Sequence, residues 1–136
     1  MIGGERSTRD GIADLQRARA DLVIRAGGAV SAADSATRLG GIAVEVVEQR
    51  RTQGELLAVL LEGEHRYPRF QFDNAAVLAG LPAVLQAFSV RNGWTQLSAL
   101  LSPQDALDGR TVIDALAHGD VDAAIGVAAG YGETGA

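Results

Sequence analysis

A chain of 136 residues, 47% apolar and 21% charged, has room for one ordinary domain or two very small ones and the balance of a globular protein. It has no cysteine, which excludes disulfides, thiolate metal sites and a cysteine nucleophile, and no lysine, which excludes a lysine-bearing phosphate loop. The net charge of −5 is uneven: residues 1–80 hold ten arginines against eleven acids, and residues 81–136 hold two against six, so the second part suits a basic protein better than phosphate.

Aromatics are only 4%, so the core must come from Ala, Leu, Val and Ile, which favours closely packed helices. The start, Met1-Ile2-Gly3-Gly4-Glu5-Arg6, lacks the apolar centre of a leader, and no apolar run is long enough to span a membrane. The expected location is the cytoplasm.

Residues 1–6 read as a loose tail. Ser7 and Asp10 stand at capping-box spacing and predict a helix from about Thr8 to Ala26. Ile12, Leu15, Ala18, Leu22, Val23 and Ala26 share one face, and Gly27-Gly28 ends the helix. One amphipathic helix cannot bury its stripe alone. Ile12, Leu15 and Leu22 are therefore the expected dimerisation residues, with a second copy of the chain as partner.

Ser31 and Asp34 repeat the spacing and predict a short helix from Ser31 to Leu39, with Ala33, Ala36 and Leu39 inward. Gly40-Gly41 turns the chain into a third helix, from about Ala43 to Gln53, ended by Gly54. Two short helices joined by a glycine turn are helix-turn-helix patterning. Leu56 to Leu60, the Glu62-Gly63-Glu64 turn and His65 to Pro68 read as a β-hairpin wing, with Pro68 placing the second strand at an edge or ending it. If this unit reads DNA, the donors are Gln49, Arg50, Arg51 and Thr52 on the helix and Arg66 and Arg69 on the wing. Glu45 and Glu48 on the same helix oppose phosphate. The segment Tyr67-Pro68-Arg69-Phe70-Gln71-Phe72-Asp73 holds three of the six aromatics and reads as the anchor of the hairpin, with Asp73 or Asn74 capping the next turn.

Gly80-Leu81-Pro82 is the predicted boundary between a unit over 1–80 and one over 81–136. Pro82 suits the first turn of a helix reaching about Val90. Asn92-Gly93 breaks it, and Trp94 to Leu101 forms the next, with Trp94 as a core anchor. Ser102 with Asp105, and Thr111 with Asp114, stand again at capping spacing, the second pair opening a helix that ends at His118. Gly119 ends that helix and Asp120 caps the last one, Val121 to about Tyr131, whose Val121, Ala124, Ile125, Ala128 and Ala129 form an apolar stripe. Gly109 permits a tight turn, and Arg110 makes a salt bridge to a partner or across its own domain, or pairs with Asp108 or Asp114. The fold expected is mainly α, a helix-turn-helix with a small β-hairpin wing followed by a small C-terminal helical bundle.

No catalytic constellation appears. Glu62 and Glu64 flank a turn glycine as a solvated hairpin tip, no serine sits in an elbow motif, and His65 and His118 are far apart in the chain. No enzymatic activity, metal or cofactor is expected.

The order Trp94, Leu100-Leu101-Ser102-Pro103, Leu107-Asp108-Gly109-Arg110-Thr111, Ala115-Leu116 with Gly119-Asp120, and Ala128-Ala129-Gly130-Tyr131 resembles the toxin-binding domain of Xre/MbcA/ParS-type bacterial antitoxins. The stretch from Ser31 to Asp73 resembles the helix-turn-helix and hairpin unit that often precedes that domain, through Leu39-Gly40, Val47, Arg50-Arg51, Gly54, Leu56-Leu57-Ala58-Val59 and Tyr67-Pro68-x-Phe70-Gln71-Phe72-Asp73. The resemblance covers most of the chain. It implies an antitoxin of a type II toxin–antitoxin system that occludes the active site of a RES-domain, NAD-degrading toxin and autoregulates its operon through operator DNA. The toxin-binding residues it implies are Arg110, Asp120, Asp122, Ile125, Ala128, Tyr131 and Glu133, with Tyr131 facing outward. A stand-alone DNA-binding transcription regulator, or a structural or localisation adaptor with the same C-terminal domain, stays open.

Overall fold

The first helix, α1 (Ile2–Arg25), runs through the Ser7–Asp10 position instead of starting at it. In this computed structural model the backbone is described for residues 2–131 and the side chains for residues 10–131. Gly27 and Gly28, at φ 81° and 99°, close α1 as their glycine character predicts.

They lead into a two-residue strand that the pattern of the chain does not announce, β1 (Ala29–Val30). Ser31 then caps α2 (Ala32–Arg38) by accepting from the Asp34 amide at 3.1 Å. The buried side of α2 is Ser35, Ala36 and, just past its end, Leu39. Ala33, expected inward, is exposed. The Ser35 hydroxyl donates to the Ser31 carbonyl at 2.8 Å, and that bond lets a polar side chain take the inner position.

After the Gly40-Gly41 turn comes α3 (Val44–Thr52), which buries Val47 completely. The hairpin follows as β2 (Val59–Leu61) and β3 (Glu64–Pro68), with Leu61 opposite Glu64 and Val59 opposite Arg66. On its other side β3 pairs with β1, Pro68 opposite Ala29 and Tyr67 opposite Val30. The sheet order is β1-β3-β2. Pro68 thus ends a central strand and does not mark an edge; as the last residue, its missing N–H leaves the ladder intact. The order α1, β1, α2, α3, β2, β3 is that of a winged helix-turn-helix. A second hairpin, β4 (Phe72–Asp73) with β5 (Ala76–Val77), turns on Asn74 and Ala75, both at positive φ. Asn74 is thus a turn residue, not a cap.

Gly80, left-handed at φ 87°, precedes α4 (Leu81–Ala87), which stops three residues short of Val90 because Phe88 leaves the helix in an extended conformation and buries its ring. Asn92 caps α5 (Gly93–Leu101) by accepting from the Thr95 amide. Ser102 opens no helix. It ends α5, its hydroxyl donating back to the Ser98 carbonyl at 2.6 Å, and the chain makes only a 3-10 turn over Asp105–Leu107. A full capping box of Thr111 and Asp114 opens α6 (Val112–Ala117). The last helix is α7 (Val121–Gly130), and Asp120 offers it no side-chain cap.

Two apolar clusters result. The smaller joins Ala36, Leu39, Val47, Leu56 and Tyr67 inside the helix-turn-helix. The larger gathers Leu81, Val84, Phe88, Leu97, Leu100, Leu116, Ala124 and Ala128 from α4 to α7, and it takes in Ala26, Leu57 and Val59 from before Gly80. Full burial of a leucine such as Leu97 or Leu100 contributes about 2 kcal/mol.

Candidate interaction surfaces

The helix-turn-helix places its predicted DNA residues unevenly. Gln49 and Thr52 are exposed on α3, next to exposed Glu45 and Glu48. The Thr52 hydroxyl donates to the Glu48 carbonyl of its own helix at 2.8 Å. Arg50 is half-buried. Arg66 is held by Glu64 across 2.9 Å, and Arg69 is exposed, its aliphatic chain lying over Gly28. Arg51 turns away from the exposed face of α3: its Nε is shielded from solvent and has no hydrogen-bond partner. The exposed stripe of α3 therefore carries two carboxylates, one amide and one engaged hydroxyl.

Arg51 borders a cleft of about 880 Å³ between the C-terminal end of α3, the wing, and α4 with α5. His65, Arg91 and Trp94 also line it, and no carboxylate does, in a chain of net charge −5. Arg51 and Arg91 lie forty residues apart in sequence, so only the fold brings them to one place. Behind Arg51 the Tyr67 hydroxyl is buried. Burial pushes its pKa above the usual 10.0, against the hydrogen bonding and the charge of the nearby Arg51 guanidinium.

Gln71, the centre of Phe70-Gln71-Phe72, is a residue whose role the sequence alone does not reveal. It is fully buried. Its side chain accepts from the Leu57 amide at 2.9 Å and donates to the Leu57 and Pro68 carbonyls at 2.9 and 3.0 Å. An amide can mimic a strand's paired donor and acceptor, and here it ties the segment after β3 to the approach to β2.

In the C-terminal unit, Asp108 and Gly109 are both left-handed, at φ 57° and 85°, and swing Arg110 back over the turn. Arg110 makes its salt bridge across the domain and bonds neither Asp108 nor Asp114. Its Nη1 donates to Asp120 at 2.8 Å and its Nε to the Leu107 carbonyl at 3.2 Å, so it pins the start of α7 to the turn before α6. Asp120 makes that ion pair and gives α7 no side-chain cap.

The predicted toxin-binding residues divide by burial. Asp120 and Asp122 are exposed, Arg110 and Ile125 are half-buried, and Ala128 is fully buried. Tyr131, expected to face outward, is half-buried. Its ring stands edge-on to Phe88, centroids 5.9 Å apart at 80°, because the aromatic edge is attracted to the face of its neighbour. Glu133 lies outside the described residues. Ala129, part of the expected apolar stripe, is exposed, and the outer face of α7 is Asp122, Ala123, Gly126, Ala129 and Gly130. Its small side chains let another backbone approach closely; the signal in the sequence is Gly126 within a run of alanines. On α1, Leu22 packs against the large core, while Ile12 and Leu15 remain exposed.

The fold is thus that of a mainly helical protein with a winged helix-turn-helix and an attached C-terminal bundle. No protein-family model and no curated protein matches the chain. Among solved structures it is similar to the NMR structure of Rv2175c, with a TM-score of 0.56 and 25% identity over 74% of this chain and 80% of that one. Among the described residues no helix is long and apolar enough to cross a membrane.

Proposed function

We propose that this chain is a cytoplasmic antitoxin that captures a RES-domain, NAD-degrading toxin through its C-terminal unit and blocks the toxin's active site, acting without catalysis of its own. The observation that carries this reading is the ordered set of residues from Trp94 to Tyr131 that resembles the toxin-binding domain. In this chain those residues belong to one packed unit, held by the Arg110–Asp120 ion pair, the Thr111 capping box and the Phe88–Tyr131 contact. The acidic balance of residues 81–136 suits a basic partner. The outer face of α7 supplies close approach, with Asp122 at its rim.

Occlusion needs affinity concentrated in a few central contacts. The test is co-expression with the product of the neighbouring reading frame, followed by co-purification and an NAD-consumption assay. A stable complex that stays inactive until this chain is removed is the expected result. Ala129→Arg should weaken capture by about tenfold or more, roughly 1.4 kcal/mol, while Glu62→Ala at the wing tip leaves it unchanged. Absence of any complex, or equal capture by both variants, overturns the reading.

A transcription-regulator role is favoured by one observation, the winged helix-turn-helix order of the first six elements. In the antitoxin reading the same unit binds operator DNA. Sequence-specific retention on operator DNA by this chain alone, with no protein complex, would leave regulation as the whole function.

A further inference from the structure

Among the described residues Arg17, Arg25, Arg38, Arg66 and Arg110 each have a carboxylate partner, and Arg51 and Arg91 have none. Both line the same cleft, in a chain with more acids than bases. The acids nearest to Arg51 in sequence, Glu48 and Glu55, do not line it.

The two guanidiniums come from separate segments. Arg51 stands in the last turn of α3, half-buried, with its Nε shielded from solvent and unbonded. Arg91 belongs to the link between α4 and α5. Its Nη1 comes within 3.7 Å of the position that a Cβ would take on Gly54, three residues past Arg51. The same nitrogen makes a long bond to the Leu85 carbonyl, 3.4 Å. Two cations brought to one cleft repel each other, and an anion between them reverses the sign of that interaction.

The backbone around the cleft favours the same charge. Gly93 and Trp94 line it and open α5, whose first amides have no acceptor within the helix. The Thr95 amide goes to the Asn92 side chain and the Gln96 amide to the Asn92 carbonyl. The amides left over are those of Gly93 and Trp94, and a helix start of this kind attracts anions. The opposite end of α3, whose carbonyls would repel an anion, is closed. The Gln49, Arg50 and Arg51 carbonyls accept from the Gln53, Glu55 and Gly54 amides.

Two guanidiniums and a helix start match an anion of about two charges at neutral pH, which a phosphate monoester carries and a lone carboxylate does not. Guanidinium groups bind phosphate oxygens in pairs. The cleft, about 880 Å³, is far larger than a bare phosphate. It falls within the span of small-molecule sites, roughly 300–1,000 Å³. Trp94, Leu56 and Ala58 offer apolar contact to the rest of such a molecule, and Gln53 and Gln86 offer amides. DNA is the less favoured source of the phosphate, because Arg51 is turned from the exposed stripe of α3 and that stripe carries Glu45 and Glu48.

We propose that this cleft binds the phosphoryl group of a small molecule, gripped by Arg51 and Arg91 and by the first amides of α5. The inference does not depend on the antitoxin reading.

Trp94 is the single tryptophan and lines the cleft, so its emission reports occupancy. The experiment titrates the purified full chain at constant ionic strength with inorganic phosphate, with AMP and with adenosine, read by tryptophan emission and by calorimetry. It is repeated on Arg91→Gln, Arg51→Gln and Arg69→Gln. The expected results are saturable binding of AMP or phosphate, with adenosine weaker than AMP by about tenfold or more. Arg91→Gln should lose about tenfold or more in affinity with an unchanged far-UV spectrum. Arg69→Gln, whose side chain lies over Gly28 outside the cleft, should lose nothing. AMP tighter than phosphate assigns the phosphoryl group to a nucleotide-sized molecule, and phosphate as tight as AMP assigns it to the free ion; either result supports the site. No binding of phosphate or AMP overturns the proposal. So does AMP bound by Arg91→Gln and Arg51→Gln as tightly as by the parent chain. Retention of duplex DNA that is lost in Arg91→Gln, while neither phosphate nor AMP binds, gives the arginines to a DNA backbone and overturns it as well.

Discussion

At the scale of single residues, two glycines show how different the demands on one residue type are. Gly93 opens α5 against the wing, and a Cβ there would collide with the Ala58 carbonyl oxygen, a backbone atom that cannot turn aside. Gly109 is left-handed at φ 85° with open space around it. Gly93→Ala should therefore cost about 3 kcal/mol, the upper end of overpacking, and Gly109→Ala about 1 kcal/mol of left-handed strain. Urea unfolding of both variants measures the order; equal losses would mean that the wing does not press on α5. Tyr67 makes a prediction about pH. With its pKa raised in the fold, its hydroxyl stays neutral after the unfolded chain has begun to ionise. This contribution is fully present below pH 10.0, the unfolded value, and is lost as the pH rises through the folded pKa. Tyr67→Phe should flatten that alkaline loss. A Tyr67→Phe profile identical to that of the parent chain would show that the hydroxyl is not buried.

At the scale of elements, four pairs of residues stand at capping spacing, and only the Ser31–Asp34 and Thr111–Asp114 pairs open helices. The spacing is local information, and whether it acts depends on what precedes it. Ser102 follows a helix already packed, and its hydroxyl goes back to Ser98. The Ser7–Asp10 position is crossed by α1. Where the box is realised it is worth a definite amount: Thr111→Ala should lose about 1 kcal/mol, read as a lower unfolding midpoint with an unchanged denaturant slope. No loss would indicate that the Arg110–Asp120 pair alone holds α6 in place. The three two-residue strands β1, β4 and β5 escape sequence reading for a related reason. Two residues carry no alternation, and each strand exists because a longer or adjacent partner offers its edge.

At the scale of the whole molecule, the boundary at Gly80 is a change of element type and not a break in the core. Leu57 and Val59 pack with the helices that follow Gly80, and the indole of Trp94 donates to the Leu60 carbonyl across the same seam at 3.2 Å. Trp94 is the single tryptophan, so its fluorescence reports on that seam. Unfolding followed by tryptophan emission should coincide with unfolding followed by far-UV circular dichroism. Two separated transitions would show that the wing and the bundle unfold independently. The acid-free cleft with Arg51 and Arg91 lies along this seam as well, so it too exists only when the two parts are assembled.

The sequence by itself determined the mainly helical class, the helix-turn-helix with its wing, and most helix ends, because glycines, caps and apolar periodicity act within a few residues of one another. It also determined which residue types could matter: no lysine, no cysteine, an acidic stretch over residues 81–136. Only the tertiary structure decided which way those residues point. Arg51 turned to a cleft, Arg110 chose Asp120, Tyr131 chose Phe88, and Ile24 with Leu60 and Leu61 was left bare. Three of those outcomes involve residues more than thirty apart in the chain. All are set by which surfaces close on one another, and periodicity carries no information about that.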